Sequence, residues 1–303
     1  MADEVFDVVM LSTGAFHADF SEFQRARPPE GNFELGANLW VGRLPHNVDS
    51  NLVFDACHPA GYNFNPVRQY GCRYAICRKV DSNQSNYYEW DEDGWLRRIL
   101  FLSRFIRPTT ISTNLSAKLY FTDSELQTIV PGPVSGFGTH AWVVAQDNWR
   151  DWLSVSEFQE LKDVIPKYLL NPPDRVRQAR KHIDHAFHTY YLDQRCASLV
   201  TGFESLLKIS PYRSTRQFAL RAPNLADRVG LELTESEAIA MYDDRSAFVH
   251  GTPVSFTNLS PDLIVQYNRF ESVLRRALLL ASTDASFAAM FDSDQNIETA
   301  FGV

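Results

Sequence analysis

Over the first half of the chain apolar residues come in short blocks of strand length; over the second half they recur every three or four positions. Val5–Leu11, Ala37–Gly42, Leu52–Phe54, Cys72–Cys77, Leu119–Phe121 and His140–Val144 are β-branched and aromatic segments separated by Gly, Pro and Asn. Such blocks predict strands. Trp95–Ile106 breaks the pattern, with Leu96, Ile99, Leu100 and Phe105 near helical spacing and Pro108 just beyond, which predicts a helix. The first half therefore reads as an α+β domain dominated by antiparallel strands.

From Ser156 onward the period is helical. Asn171-Pro-Pro-Asp174 punctuates the chain near a domain boundary and places proline in the first turn of a new helix, where its missing N–H costs nothing. Val176, Ala179, Ile183, Phe187 and Tyr190 form one apolar stripe, and Leu199, Val200, Phe203 and Leu207 a second, as expected of two packed helices. Thr234-Glu-Ser-Glu237 is a capping box that starts a helix running to His250, where Gly251 suits a left-handed cap and Pro253 prevents continuation. Ser260-Pro-Asp262 opens a last long helix with Leu263, Tyr267, Phe270, Leu274, Leu278 and Ala281 at core spacing. The expected fold class is α+β: a mixed, mainly antiparallel domain over residues 1–165, then an all-α bundle over residues 166–303.

With 303 residues, 45% of them hydrophobic, the chain can bury a substantial core, and its length favours two domains. No basic, apolar leader precedes Val5, and no apolar run approaches the roughly 18 residues needed to span a bilayer, so a soluble, cytoplasmic protein is expected. Cys57, Cys72, Cys77 and Cys196 are too scattered for a disulfide framework, which agrees with a reducing compartment. The net charge of −8 argues against a general nucleic-acid coat. Its distribution changes that picture. Lys167–Arg228 holds eleven basic residues against five acidic ones, a local +6 that leaves −14 for the remainder. A local basic face would admit RNA; a solvated helix surface explains the same run equally well.

The densest candidate chemistry is Met241-Tyr-Asp-Asp-Arg245-Ser-Ala-Phe-Val-His250-Gly251. An arginine can neutralise a phosphoryl group that gains charge in a transition state, and a histidine can move a proton to or from a sugar hydroxyl. Neither role needs a metal. Ala238, Met241, Tyr242, Arg245 and Val249 share one helix face, so Arg245 lies on the packed side, where its fixed charge requires a carboxylate, a carbonyl or a phosphate. Glu204, between Val200 and Leu207 on another apolar stripe, is the candidate partner. Read structurally, the two are a buried brace, and His250 is a surface or capping side chain. Arg245 and His250 lie about 7.5 Å apart along an ideal helix and about 140° apart around it, so one helix cannot easily aim both at one phosphate.

Other constellations are weaker. His182, His185 and His188, beside Asp184, recur every third residue and fan around a helix instead of converging on a tetrahedral metal site. Cys57-His58 with Cys72 and Cys77 lacks the spacing of a zinc ribbon and reads as core thiols. There is no phosphate-binding loop, dinucleotide-binding glycine pattern or serine nucleophile elbow; no cofactor and no metal are expected.

Tyr242–Gly251 resembles the Arg-Ser-x-x-x-His-Gly signature of HEPN domains, particularly the Apea-like branch. Those ribonucleases carry an arginine and a histidine separated by four to six residues. Leu199–Leu207 is similar to that branch's apolar helix with a single glutamate, and Ser214–Arg221 to the segment that follows. The match covers the C-terminal part of the chain only. The resemblance implies a homodimer through the helical domain, with two motifs facing a shared cleft, and a metal-independent endoribonuclease using 2′-hydroxyl attack. Arg245 and His250 would be catalytic, Glu204 and Ser246 supporting, and RNA the substrate; the family often serves phage defence or acts as toxins. Ser246 departs from the pattern, because many catalytic members carry Asn, Asp or His after the arginine. The alternative is a catalytically silent module for dimerisation or RNA binding, with the N-terminal domain sensing a trigger, ligand or partner. A third reading is a metal-dependent hydrolase built on the three histidines.

Overall fold

The computed structural model describes residues 4–12, 32–57, 75–81, 95–108, 112–132, 153–189, 191–210, 212–249 and 261–302. They fall into two compact units, the first ending at Ile165 and the second starting at Pro166. The chain is α+β, an antiparallel sheet followed by helices.

The first unit is built on six strands: β1 (Glu4–Ser12), β2 (Phe33–Gly36), β3 (Leu39–Gly42), β4 (Ala75–Val80), β5 (Ser112–Thr122) and β6 (Glu125–Pro131). They lie in the order β2-β3-β4-β1-β5-β6, every pairing antiparallel. β1 is central, and Val5 to Leu11 are buried without interruption, which explains an apolar run instead of an alternation. One face carries Phe6, Val8 and Met10 beside Cys77, Ala117 and Leu119, closed by Val53 and Phe54.

Those last two residues correct an expectation. Leu52–Phe54, expected as a strand, lies inside helix α1 (Ser50–Cys57). Asp49 decides this, because its carboxylate accepts the Asn51 N–H at 2.9 Å and opens a helical turn. Its Val53 and Phe54 then face the sheet. Of the strand expected over Cys72–Cys77, Ala75 to Cys77 lie in β4, which runs on to Val80; Cys72 to Tyr74 and His140–Val144 lie outside the described residues. Neither β2 nor β6 is expected from the sequence pattern. β6 has mostly exposed or half-buried positions, and so lacks the apolar alternation that marks a strand.

Two further helices of this unit are among the described residues. α2 spans Trp95–Ile106, the expected bounds. α3 (Val155–Val164) opens on a capping box in which Ser154 and Glu157 satisfy each other's backbone donors. Its Phe158 packs on Phe33 at 4.9 Å between ring centroids, and Arg107 donates to Glu157 at 3.1 Å. The change to helical periodicity near Ser156 thus begins within the first unit.

The second unit is helical: α4 (Asp174–His188), α5 (Leu192–Leu207), α6 (Ser214–Arg228), α7 (Glu235–Val249), α8 (Pro261–Thr283), α9 (Ala285–Ala288) and α10 (Asp294–Phe301). Val176, Ala179, Ile183 and Phe187 of α4 are buried, as are Leu199, Val200, Phe203 and Leu207 of α5. A Cβ on Gly202 would stand 2.9 Å from Leu274 Cδ2 and 3.5 Å from His182 Cβ, so the missing side chain lets α5 approach α4 and α8 closely. Among the described residues no helix is long and apolar enough to cross a membrane.

Candidate functional site

The site grows from the seam of α5 and α7. Thr234 caps α7 as expected, its hydroxyl accepting the Glu237 N–H at 3.2 Å while the Glu237 carboxylate accepts the Thr234 N–H at 2.8 Å. This fixes the helix phase. Ala238 and Met241 are buried to the last surface atom and Tyr242 nearly so, which places Arg245, one turn on, at the edge of the packed face. α5 supplies Glu204 on its half-buried margin, beside the buried Val200 and Phe203.

There the two meet. Arg245 Nη2 donates to Glu204 Oε2 at 3.4 Å, and the Tyr242 hydroxyl donates to Glu204 Oε1 at 3.1 Å. The side chains of Arg245 and Glu204 keep 28% and 20% of their surface exposed, so the pair is open to water and not sealed in the bundle. Tyr242 also meets the Ser214 side chain at the start of α6, and its ring lies 5.9 Å from the Arg245 guanidinium carbon. Burial raises the Tyr242 pKa, and the adjacent Glu204 carboxylate raises it further. The phenol stays a donor.

Arg245 makes fewer and longer hydrogen bonds than Arg221, Arg180 and Arg195, three buried arginines of this unit. Arg221 donates to the carbonyls of Leu207, Lys208 and Gly302 at 2.8, 2.7 and 3.0 Å. Arg180 donates to Ser282 and Tyr168, both at 3.0 Å, and lies against the tyrosine ring. Arg195, with no exposed surface, donates to the carbonyls of Thr189 and Phe187 and meets the Tyr267 hydroxyl. Arg245 makes one bond at the outer limit of hydrogen-bond length, and its Nε, itself cut off from solvent, has no partner among the described residues. An unpaired buried donor costs about 1–3 kcal/mol.

The remaining predicted residues spread around this core. Ser246 is half-buried on α7. His250 lies just past the last described residue of α7 and outside the described residues. Asp244 is half-buried; burial, then the neighbouring Asp243, pushes its pKa up. His182 of α4 faces the same neighbourhood, although its spacing in the sequence points only to a metal ligand. Burial lowers its pKa, the nearby His185 lowers it further, and Glu204 opposes both. The signal that could have found it is a histidine on the margin of an apolar stripe.

The three histidines do not converge. His185 is exposed, and His188 Nδ1 bonds the Asp184 carbonyl within its own helix at 2.7 Å. No group of three or more His, Cys, Asp or Glu side chains suited to a metal occurs among the described residues. Cys57 and Cys77 are free thiols, half-buried and buried; burial pushes Cys57 up to about 11 and Cys77 higher still. Cys72 and His58 lie outside the described residues.

The local basic surplus is only partly absorbed, by burial or by ion pairing. Arg180, Arg195 and Arg221 are buried, Arg175 and Lys208 both pair with Asp294, and Arg177 pairs with Asp174. Lys167, Lys181, Arg213, Arg216 and Arg228 remain exposed. A scan against protein-family models, a search of curated proteins and a search of solved structures each found no match.

Proposed function

We propose that the helical unit cleaves RNA without a metal, using Arg245 and His250. The observation that carries this reading is the incompletely bonded, half-exposed guanidinium of Arg245, whose Nε has no partner among the described residues. Arg221 shows the contrast, a packing guanidinium bonded to three carbonyls; the fork of Arg245 has donors to offer the paired oxygens of a phosphate.

In the reaction, the 2′-hydroxyl attacks the adjacent phosphorus and the bond to the 5′-oxygen breaks. Products are a 2′,3′-cyclic phosphate and a 5′-hydroxyl. His250 transfers the proton, first from the nucleophile or finally to the leaving oxygen. Arg245 neutralises charge gathering on the non-bridging oxygens. Because the spacing of the pair on one helix keeps them from a single phosphate, two copies of the chain contribute to one cleft, and the functional form is a two-fold homodimer through the helical unit.

The test is cleavage of varied RNAs in EDTA, with all-deoxy strands as control. Wild-type protein cuts RNA alone, and Arg245→Ala and His250→Ala each lower the rate by about 10²-fold or more while dimerisation persists. Activity no greater than that of the double variant removes the nuclease reading. The ion pair with Glu204, which already neutralises Arg245, favours the second reading, a silent module for dimerisation or RNA binding; retained binding without cleavage supports it.

A further inference from the structure

We propose that the α5–α7 seam is a carboxylate-gated oxyanion site: a phosphate group displaces Glu204 from Arg245, and the Tyr242 hydroxyl retains the displaced carboxylate. The inference rests on the reading of Arg245 as a phosphate-binding residue, and adds how access to that residue is controlled.

Three features support the exchange. Glu204 reaches Arg245 through one oxygen and one nitrogen at 3.4 Å, without the paired, parallel contacts that make arginine–carboxylate bridges strong. The Nε of Arg245 is buried and has no partner among the described residues. A tetrahedral oxyanion presents two oxygens to the Nε–Nη edge of a guanidinium, so exchange satisfies a donor that Glu204 leaves bare. Finally, the second carboxylate oxygen is held at 3.1 Å by Tyr242, a hydroxyl that also meets Ser214. Glu204 therefore has a partner to keep when it releases the arginine.

The gate predicts opposite signs for two substitutions. Glu204→Gln preserves shape and hydrogen bonding but removes the competing charge, so it tightens oxyanion binding. Tyr242→Phe removes the hydroxyl that retains the carboxylate, so it weakens binding. Simple positioning of Arg245 by Glu204 predicts weaker binding for the first.

The experiment is calorimetric titration of the full chain with inorganic phosphate and, separately, with an RNA whose 2′-hydroxyls are all methylated, which binds without cleavage. Glu204→Gln should tighten binding by about tenfold at low salt, on the scale of removing one like charge a few ångströms from the ligand, and the gain should shrink as salt rises. Adding Arg245→Ala should abolish it. Glu235→Gln, an exposed position in the first turn of α7, should leave affinity unchanged. A gain with both ligands assigns the site to a phosphate group by itself; a gain with the RNA alone assigns it to a phosphodiester within a chain.

Equal or weaker binding of both ligands by folded Glu204→Gln overturns the gate, as does an equal gain in Glu235→Gln. Should Glu204→Gln lose its cooperative melt, Tyr242→Phe decides, and unchanged or tighter binding there overturns the proposal. If Glu204→Gln binds more tightly while the wild type cuts no RNA, the gate stands and the nuclease reading falls. If the wild type cuts RNA and Glu204→Gln shows no gain, the nuclease reading stands and the gate falls.

Discussion

Two ion clusters in this protein use the same chemistry in opposite ways. At the centre of the sheet, Asp7 of β1 stands in register with Arg78 of β4 and Lys118 of β5, and its carboxylate pairs with them at 3.1 and 2.8 Å. Asp7 and Lys118 are 1% and 3% exposed. Backbone pairing holds all three, so the cluster cannot rearrange without breaking the sheet. At the α5–α7 seam, Glu204 and Arg245 sit on separate helices, remain partly exposed and touch at 3.4 Å. The difference teaches how to tell a brace from a site. The brace is buried at its carboxylate, short and fixed by strand register; the candidate site keeps more exposed surface and a single longer contact.

The largest effect that would sharpen this contrast is Asp7→Ala, which leaves the buried Lys118 and the half-buried Arg78 without their carboxylate and should destabilise the protein by about 3–5 kcal/mol. Chemical denaturation measures it, and a loss under about 1 kcal/mol, the range of an exposed pair, would place Asp7 outside the brace class. Next comes Arg221→Ala, which strips three carbonyls of their donor; about 2–3 kcal/mol is expected for bonds from a charged group, with faster hydrogen exchange in α10, since the Gly302 carbonyl just past its end is one of the three.

Smaller again is Glu204→Ala. Partial exposure of the pair lowers the cost below that of a fully buried one, to about 1–2 kcal/mol, because the Tyr242 hydroxyl and Arg245 both lose an acceptor. A loss as large as that of Asp7→Ala would collapse the comparison. Arg245→Met should cost less than about 1 kcal/mol, since it also removes a buried donor that has no partner, while abolishing oxyanion binding.

The smallest expected effect concerns pH. His182 has a lowered pKa in the fold, through burial first, so between the unfolded value of about 6.5 and the folded value the unfolded chain binds more protons. Its neutral form is fully compatible with the fold above that window, and stability is lost as pH falls through it. His182→Gln should flatten part of that acid-side loss in melting curves recorded across the window. An unchanged pH profile would show that His182 does not titrate against the seam.

Local rules determined much of the architecture before any contact formed. The apolar run from Val5 to Leu11, the helical spacing of Trp95–Ile106, the stripes of α4 and α5 and the Thr234–Glu237 box were all legible, because strand period, helix period and capping act within a few residues. Arg245 and Glu204 stood out for a related reason: a charge on an apolar stripe must be partnered. What only tertiary structure decided depends on residues far apart in the chain. Leu52–Phe54 packs as part of a helix because a sheet face lies ready to receive Val53 and Phe54, although the Asp49 turn that opens it is a local signal. β6 pairs along β5 without a clear apolar alternation. Asp7 found Arg78 and Lys118 through strand register, and Arg180, Arg195 and Arg221 turned inward, reducing the basic surface that the charge count had suggested. A sequence shows how much charge a segment carries; only packing decides which charges meet each other and which are left to meet a ligand.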